Sequence, residues 1–303
     1  MQLTLAELVR KWRDQRRIVR KRLPRIKAAE VILVSYPKSG RTWLRVMISH
    51  IYHLRYNTPV TELIEFDNLH AINPKIPKIL FEHEMHLPKY LSWRLVRSLP
   101  DKKLIFLVRD PRDVIVSYYF HYATRSKLRE RLRLGLPRDV AGTPLADFAL
   151  DPRYGLPAVI GFMNRWLDVA SRSPRMFLLR YEDVRAEPKT ALRQLCDFLG
   201  EPASEAELEA AVAFASFERL QKMERQHFFG SERMQPRDAT DPNAFKVRRG
   251  KVGGYRDYLD DRQIAMVDDL VASRLRPRFG YAQGPGGRAV GARGAAANVR
   301  ADV

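Results

Sequence analysis

A short β-branched run that stops abruptly against a proline constrains this chain more than any other feature. Val31 to Tyr36 (VILVSY) has the length and residue types of a buried strand. Pro37 to Gly40 breaks it, and from Arg41 the spacing becomes helical, with Trp43, Leu44, Met47, Ile48, Ile51 and Leu54 on one broad face. The unit is therefore strand, tight loop, helix. Such a loop leaves the first helical N–H groups unpaired at the end of a strand. Together with the helix dipole they make an anion site. Gly40 lets backbone approach a ligand, Ser39 and Thr42 offer hydroxyls, and Lys38 supplies a full charge. A helix merely capped by Ser39 would need neither a lysine before the cap nor Trp43 after it. The loop is not a Walker A sequence either, because Lys38 precedes the only glycine instead of following it.

The same unit recurs. Leu104 to Val108 (LIFLV) reads as a second buried strand, followed by the turn Arg109-Asp110-Pro111 and a helix from Val114 to Tyr122. Met176 to Arg180 (MFLLR) is a third, followed by Tyr181-Glu182-Asp183 and a helix from Pro188 to Leu199 that Gly200 caps. Strands alternating with helices predict an α/β fold: a single P-loop-like domain with a central parallel sheet flanked by helices. Ligands of such sheets sit at the carboxyl ends of the strands, where all three runs carry polar punctuation. Two more helices are expected over Glu205 to Glu224, a long loop over Gln226 to Ala244, and a helix over Gln263 to Leu275. The chain divides into a basic N-terminal extension (1–28), the α/β domain (29–281) and a disordered Gly/Ala/Arg tail (282–303).

Lysine and arginine number 54 against 35 acidic residues, a net charge of +19. That field favours nucleic acid, acidic lipid or a polyanionic nucleotide without choosing among them. Met1 to Lys27, rich in Arg and Lys with Leu3, Leu5, Leu8, Trp12, Ile18 and Leu23 at roughly helical intervals, reads as a solvated basic helix. Peripheral contact with an anionic membrane is its other reading. The lone Cys196 excludes an intramolecular disulfide, and no run reaches the length of a spanning helix. With no secretory leader visible, the expected location is cytoplasmic. His83, Glu84 and His86 lie close in sequence, but an extended segment puts 83 on the face opposite 84 and 86, so no metal is expected.

Two further segments can carry phosphates. Arg109 at a strand end and Ser117 on the succeeding helix can converge on one phosphate, although an ion pair of Arg109 with Asp110 or Asp113 is the plainer reading. Later, Phe245-Lys246-Val247-Arg248-Arg249-Gly250-Lys251-Val252-Gly253-Gly254-Tyr255-Arg256 is a basic, glycine-bearing loop that can close as a lid over a ligand.

Taken together, PKSGRTWL, the Arg109–Ser117 segment and the Arg248-Arg249-Gly250 loop resemble the sulfotransferases that use 3′-phosphoadenosine-5′-phosphosulfate (PAPS). The resemblance covers Val31 to Tyr258. It implies that the amides of Ser39, Gly40, Arg41, Thr42 and Trp43 hold the 5′-phosphate, that Lys38 touches the bridging oxygen, and that Trp43 stacks on adenine. Arg41 stands where the family has threonine, which adds positive charge beside the phosphate. Arg109, Ser117, Arg248, Arg249 and Gly250 would hold the 3′-phosphate. Tyr181 of the YED segment and Phe217 of Ala215-Ser216-Phe217 would contact adenine. Tyr255 stands where tryptophan is usual, Arg256 where lysine is, and Gly254 where aspartate often is.

His86-Leu87-Pro88 resembles the family's THLP segment, whose histidine is the catalytic base. Met85 replaces its threonine and Glu84 the usual preceding lysine, leaving Lys38 as the cation at the leaving oxygen. His83 and Glu84 remain rival bases. By the same likeness Ser117 restrains Lys38 until an acceptor arrives. The expected reaction is transfer of the sulfuryl group from PAPS to an acceptor hydroxyl or amine by in-line displacement, which needs no metal. The expected acceptor is a small molecule, lipid or glycan, bound by residues 57–78, 125–157 and 226–244. A nucleic-acid-binding protein using its basic surface is the rival reading. No zinc finger, RNP signature or helix-turn-helix supports it.

Overall fold

The computed structural model describes residues 23–82, 101–231, 234–236, 238 and 240–282. Four strands form one parallel sheet: β1 (Val31–Ser35), β2 (Ile79–Glu82), β3 (Lys103–Val108) and β4 (Met176–Arg180), in the order β2-β1-β3-β4. The register pairs Val31 with Ile79 and Lys103, and Leu104 with Met176.

The sheet is covered on both faces, which explains why β1 and β3 read as continuous apolar runs. Ile32, Val34, Leu104 and Phe106 pack against α3 (Pro111–Thr124), α6 (Leu156–Ala170) and α11 (Asp261–Arg274). Val31, Leu33, Ile105 and Leu107 pack against α1 (Arg41–Tyr56), α8 (Pro188–Leu199) and α9 (Glu205–Phe214). Alternate residues of one strand thus feed two separate cores. The YED segment opens the short α7 (Tyr181–Ala186), the expected helix pair appears as α9 and α10 (Phe217–Arg225), and Gly200 ends α8 in the left-handed region, as its type allows.

Several boundaries differ from expectation. The helix expected from Val114 begins at Pro111, because Asp110 caps it, accepting from the Arg112 amide at 2.9 Å, with proline in the first turn. Four-residue β2, an edge strand, is too short to show a period. Residues 125–157, expected to bind the acceptor, hold α4 (Leu128–Arg133) and α5 (Leu145–Leu150) and the start of α6. Residues 57–78 include α2 (Asn68–Ile72) and pack beneath α1, with Leu63, Ile64, Leu69 and Ile76 buried. Arg45 Nε donates to Ile64 O at 2.8 Å and Ser49 Oγ accepts from Ile64 N at 2.8 Å. That segment serves the core. Of the basic extension only the helical stretch 23–28 is described; 1–22 and the expected tail from 283 lie outside the described residues.

Candidate functional site

The carboxyl ends of β1, β3 and β4 open onto a cavity of about 870 Å³. Its walls bring together Lys38, Gly40, Arg41, Thr42, Trp43, Arg109, Ser117, Tyr181, Phe217, Arg248, Arg249 and Gly250. Residues from five separate stretches of sequence meet there, as the strand-end argument requires. Ser39 is the exception among the described candidates: it is buried and lines no wall. Nor does it cap α1, because the N-cap is Gly40, with no side-chain cap bond. The first-turn amides of α1 therefore point outward without a side-chain partner at the cap. His86, with its neighbours His83 and Glu84, lies outside the described residues.

The turn between β1 and α1 is held in the left-handed region at Lys38 (φ 73°) and Gly40 (φ 93°). Only Gly40 could sit where it does, since a Cβ there would fall 2.4 Å from Tyr181 Cδ2. Tyr181 thus lies flat against the loop, and the Arg109 guanidinium covers its ring at 4.4 Å. Trp43 meets Tyr181 edge-on at 5.8 Å and donates from Nε1 to Ala215 O at 2.8 Å. Arg185, a residue the sequence reading misses, stacks on Trp43 at 5.5 Å. Phe217 closes on the other glycine, 3.2 Å from where a Gly250 Cβ would be.

Arg109 ties three segments together. It donates to Lys38 O and Lys251 O, both at 3.2 Å, and lies 3.7 Å from Asp113. The ion pair foreseen with Asp113 exists, but Asp113 also accepts from Gly253 N at 2.8 Å and Tyr255 N at 3.0 Å. The expected lid is therefore pinned to the first turn of α3. Tyr255 is buried and donates to Asp268 at 3.0 Å. Arg248 stacks on Phe120 at 4.2 Å and donates to Tyr258 OH, while Arg249 pairs with Asp257 at 2.6 Å. From below, half-buried Glu182 accepts from Asp110 N at 2.9 Å and from Tyr281 OH at 2.6 Å, locking the end of β4 to that of β3. Burial raises the Glu182 carboxyl above the usual range.

Positive charge is concentrated here. Burial, then the Coulombic push of Arg125 and Arg109, lowers the Lys38 amine to about 7. Lys246, another wall residue not foreseen as a site residue, is lowered to about 7 by burial, then by Lys38 and Arg125. Beneath them, fully buried Glu224 pairs with Arg125 at 2.9 Å and accepts from Lys246 N and Val247 N. His121, one helical turn beyond Ser117, also lines the cavity. Among the described residues no cluster of His, Cys, Asp and Glu could hold a metal ion, and no helix is long and apolar enough to cross a membrane. His121 could have been found from its i+4 spacing to Ser117 on α3, whereas Arg185 and Lys246 become wall residues through the crossing of elements distant in sequence.

The arrangement can hold a strongly anionic ligand, with aromatic faces for a ring beside it. Comparison with known proteins gives the family. A family model described as "Sulfotransferase domain" matches residues 28–277. Flavonol 3-sulfotransferase of Flaveria bidentis is 28% identical over 264 residues, covering 81% of each chain. Cytosolic sulfotransferase 16 of Arabidopsis thaliana is 27% identical over 269 residues, covering 82% of this chain and 76% of its own. A crystal structure of a mouse sulfotransferase complexed with PAP superposes with a TM-score of 0.54 at 21% identity, over 82% of this chain and 85% of that one.

Proposed function

This chain belongs to the sulfotransferase domain family, and from that premise we propose that it transfers the sulfuryl group of PAPS to an acceptor hydroxyl or amine. The observation that carries the reading is the cavity itself, whose wall joins the α1 N-terminus and Lys38 to Arg109, Arg248 and Arg249. A nucleotide with two phosphate-type groups suits that concentration of amides and cations, and Trp43, Tyr181 and Phe217 supply faces for its purine.

In this reading the α1 amides and Lys38 hold the 5′-phosphosulfate, and Arg109, Ser117, Arg248 and Arg249 hold the 3′-phosphate. His86 takes the acceptor proton as the acceptor oxygen attacks sulfur. The new O–S bond forms in line as the bond from sulfur to the bridging oxygen breaks. The electron pair stays on that oxygen, where Lys38 and the amides stabilise the charge. Asp113 and Glu182 are positioning residues: one fixes the 248–255 loop, the other the Asp110 turn. A small-molecule acceptor is in keeping with the flavonol relative, and a cytoplasmic location with the relative named cytosolic. Nothing in the comparisons supports the nucleic-acid reading.

Thermal denaturation with 3′,5′-ADP (PAP), using 5′-AMP and ATP as controls, tests the assignment. At about 100 times its dissociation constant, PAP should stabilise by roughly 2.7 kcal/mol and raise Tm by on the order of 5 °C. An equal rise with ATP, or none with PAP, would sink it.

The depressed Lys38 amine predicts a proton linkage. Burial, then Arg125 and Arg109, lower it to about 7 in the free protein, and an adjacent phosphate favours the charged amine and raises it. Above pH 7 the free amine is neutral and the complex is protonated, so PAP binding takes up a proton and affinity falls as pH rises. Below pH 6 both states already carry the proton and this contribution is flat. Calorimetry at pH 8 in buffers of different ionisation enthalpy should show uptake; proton release would contradict it.

A further inference from the structure

The cavity carries more positive charge than the nucleotide needs. Beyond Lys38, Arg109, Arg248 and Arg249, its walls include Arg41, Arg45, Arg125, Lys127, Arg133 and Lys246. Among the described wall residues only Asp113 and Glu130 are carboxylates, and Asp113 is occupied by two backbone amides. Arg125 and Arg45 have carboxylate partners behind the wall, Glu224 and Glu65. The Lys246 amine feels Lys38, Arg125, Arg45 and Arg41 together, which places these charges around one region.

Helix α4 extends this region to the rim. Lys127, Glu130 and Arg133 recur at threes, share one side of the helix, and line the cavity. Leu128 and Leu132, on the other side, are 39% and 51% exposed. No α4 residue is buried, so the helix contributes its charge to the rim and little to the core. Charge aimed into a cavity and not consumed by core packing is a recognition device.

We propose that the acceptor is a small organic oxyanion, carrying a carboxylate, sulfate or phosphate ester that Lys127, Arg133 and Lys246 receive while its hydroxyl or amine faces the reacting centre. This deepens the sulfotransfer reading and rests on it.

The test uses phenols paired by charge: para-hydroxyphenylacetate against its methyl ester, and para-hydroxybenzyl phosphate against para-hydroxybenzyl alcohol, with radiolabelled PAPS. The charged member of each pair should have a KM lower by about tenfold. The double variant Lys127→Ser/Arg133→Ser should lose that advantage while its stabilisation by PAP persists. Arg129→Ser/Arg138→Ser removes equal charge from exposed positions off the cavity wall and should keep the advantage. Neutral members used equally well, or an advantage lost equally in both double variants, would overturn the proposal. So would a weakening of PAP binding by Lys127→Ser/Arg133→Ser with acceptor preference intact, since the charge would then serve the nucleotide. Failure of PAP to stabilise the parent protein would instead remove the sulfotransfer reading, and this proposal with it.

Discussion

Replacing Lys38 by alanine is expected to lower kcat by about 10²–10³-fold, the scale seen when one donor to a developing oxyanion is removed. Lys38 sits in the turn between β1 and α1 at φ 73°, already outside the usual region for a side-chain-bearing residue. Alanine therefore changes the charge without a new backbone demand. Among the described residues no carboxylate forms an ion pair with Lys38, and burial, then its neighbours Arg125 and Arg109, push its amine toward neutrality. The amine thus gains most where negative charge grows, on the leaving oxygen. Nucleotide affinity should fall far less, because the α1 amides, Arg109 and the 248–250 loop remain. Single-turnover rates alongside the Tm shift with PAP separate the two effects. A variant within a few-fold of the parent rate would remove Lys38 from the chemistry.

Asp110→Ala should be the most destabilising single change at the site. Asp110 and Arg112 are both buried to within 1% of full enclosure, joined at 2.9 and 2.7 Å. Removing one partner of a buried pair costs about 3–5 kcal/mol, since it strands the other charge. Arg112 also donates to Asp268 and to Tyr281 O, which offsets part of that loss. The same substitution removes the α3 cap, adding about 1 kcal/mol. For a domain of this size the fall in Tm should be on the order of 10 °C. Asp110→Asn, which keeps the cap, should lose less. A melting temperature for the alanine variant within a degree or two of the parent would show that the pair contributes little.

The sequence made the sheet legible where burial on both faces leaves continuous apolar runs, as in β1, β3 and β4. It hid β2, whose four residues carry no period. It also hid α6, whose face of Leu156, Val159, Ile160, Met163, Trp166 and Leu167 is periodic but opens within a stretch of Gly, Pro and charge. The loops that hold the site were readable because Gly40 and Gly250 punctuate them. Their glycine requirement is tertiary, however: Tyr181 and Phe217 fill the space a Cβ would take. Ser39 was expected to offer its hydroxyl to a ligand, but the turn buries it, and the N-cap in the left-handed region is Gly40, which local sequence does not show. Lys246 and Arg185 depend on elements far apart in sequence. The lone ion pair expected of Arg109 became a junction among three segments, which only the fold can assemble.

Binding of PAP and of 5′-AMP to the parent protein and to Arg109→Ala tests the two-phosphate assignment most directly. The nucleotides differ only in the 3′-phosphate, so the four affinities form a cycle that isolates its contact with Arg109. The parent should prefer PAP by about 10²-fold, and Arg109→Ala should reduce that preference to about tenfold or less, with 5′-AMP affinity nearly unchanged. An equal preference in parent and variant, or no preference in the parent, would contradict the placement of the 3′-phosphate and with it the reading of this cavity as a PAPS site.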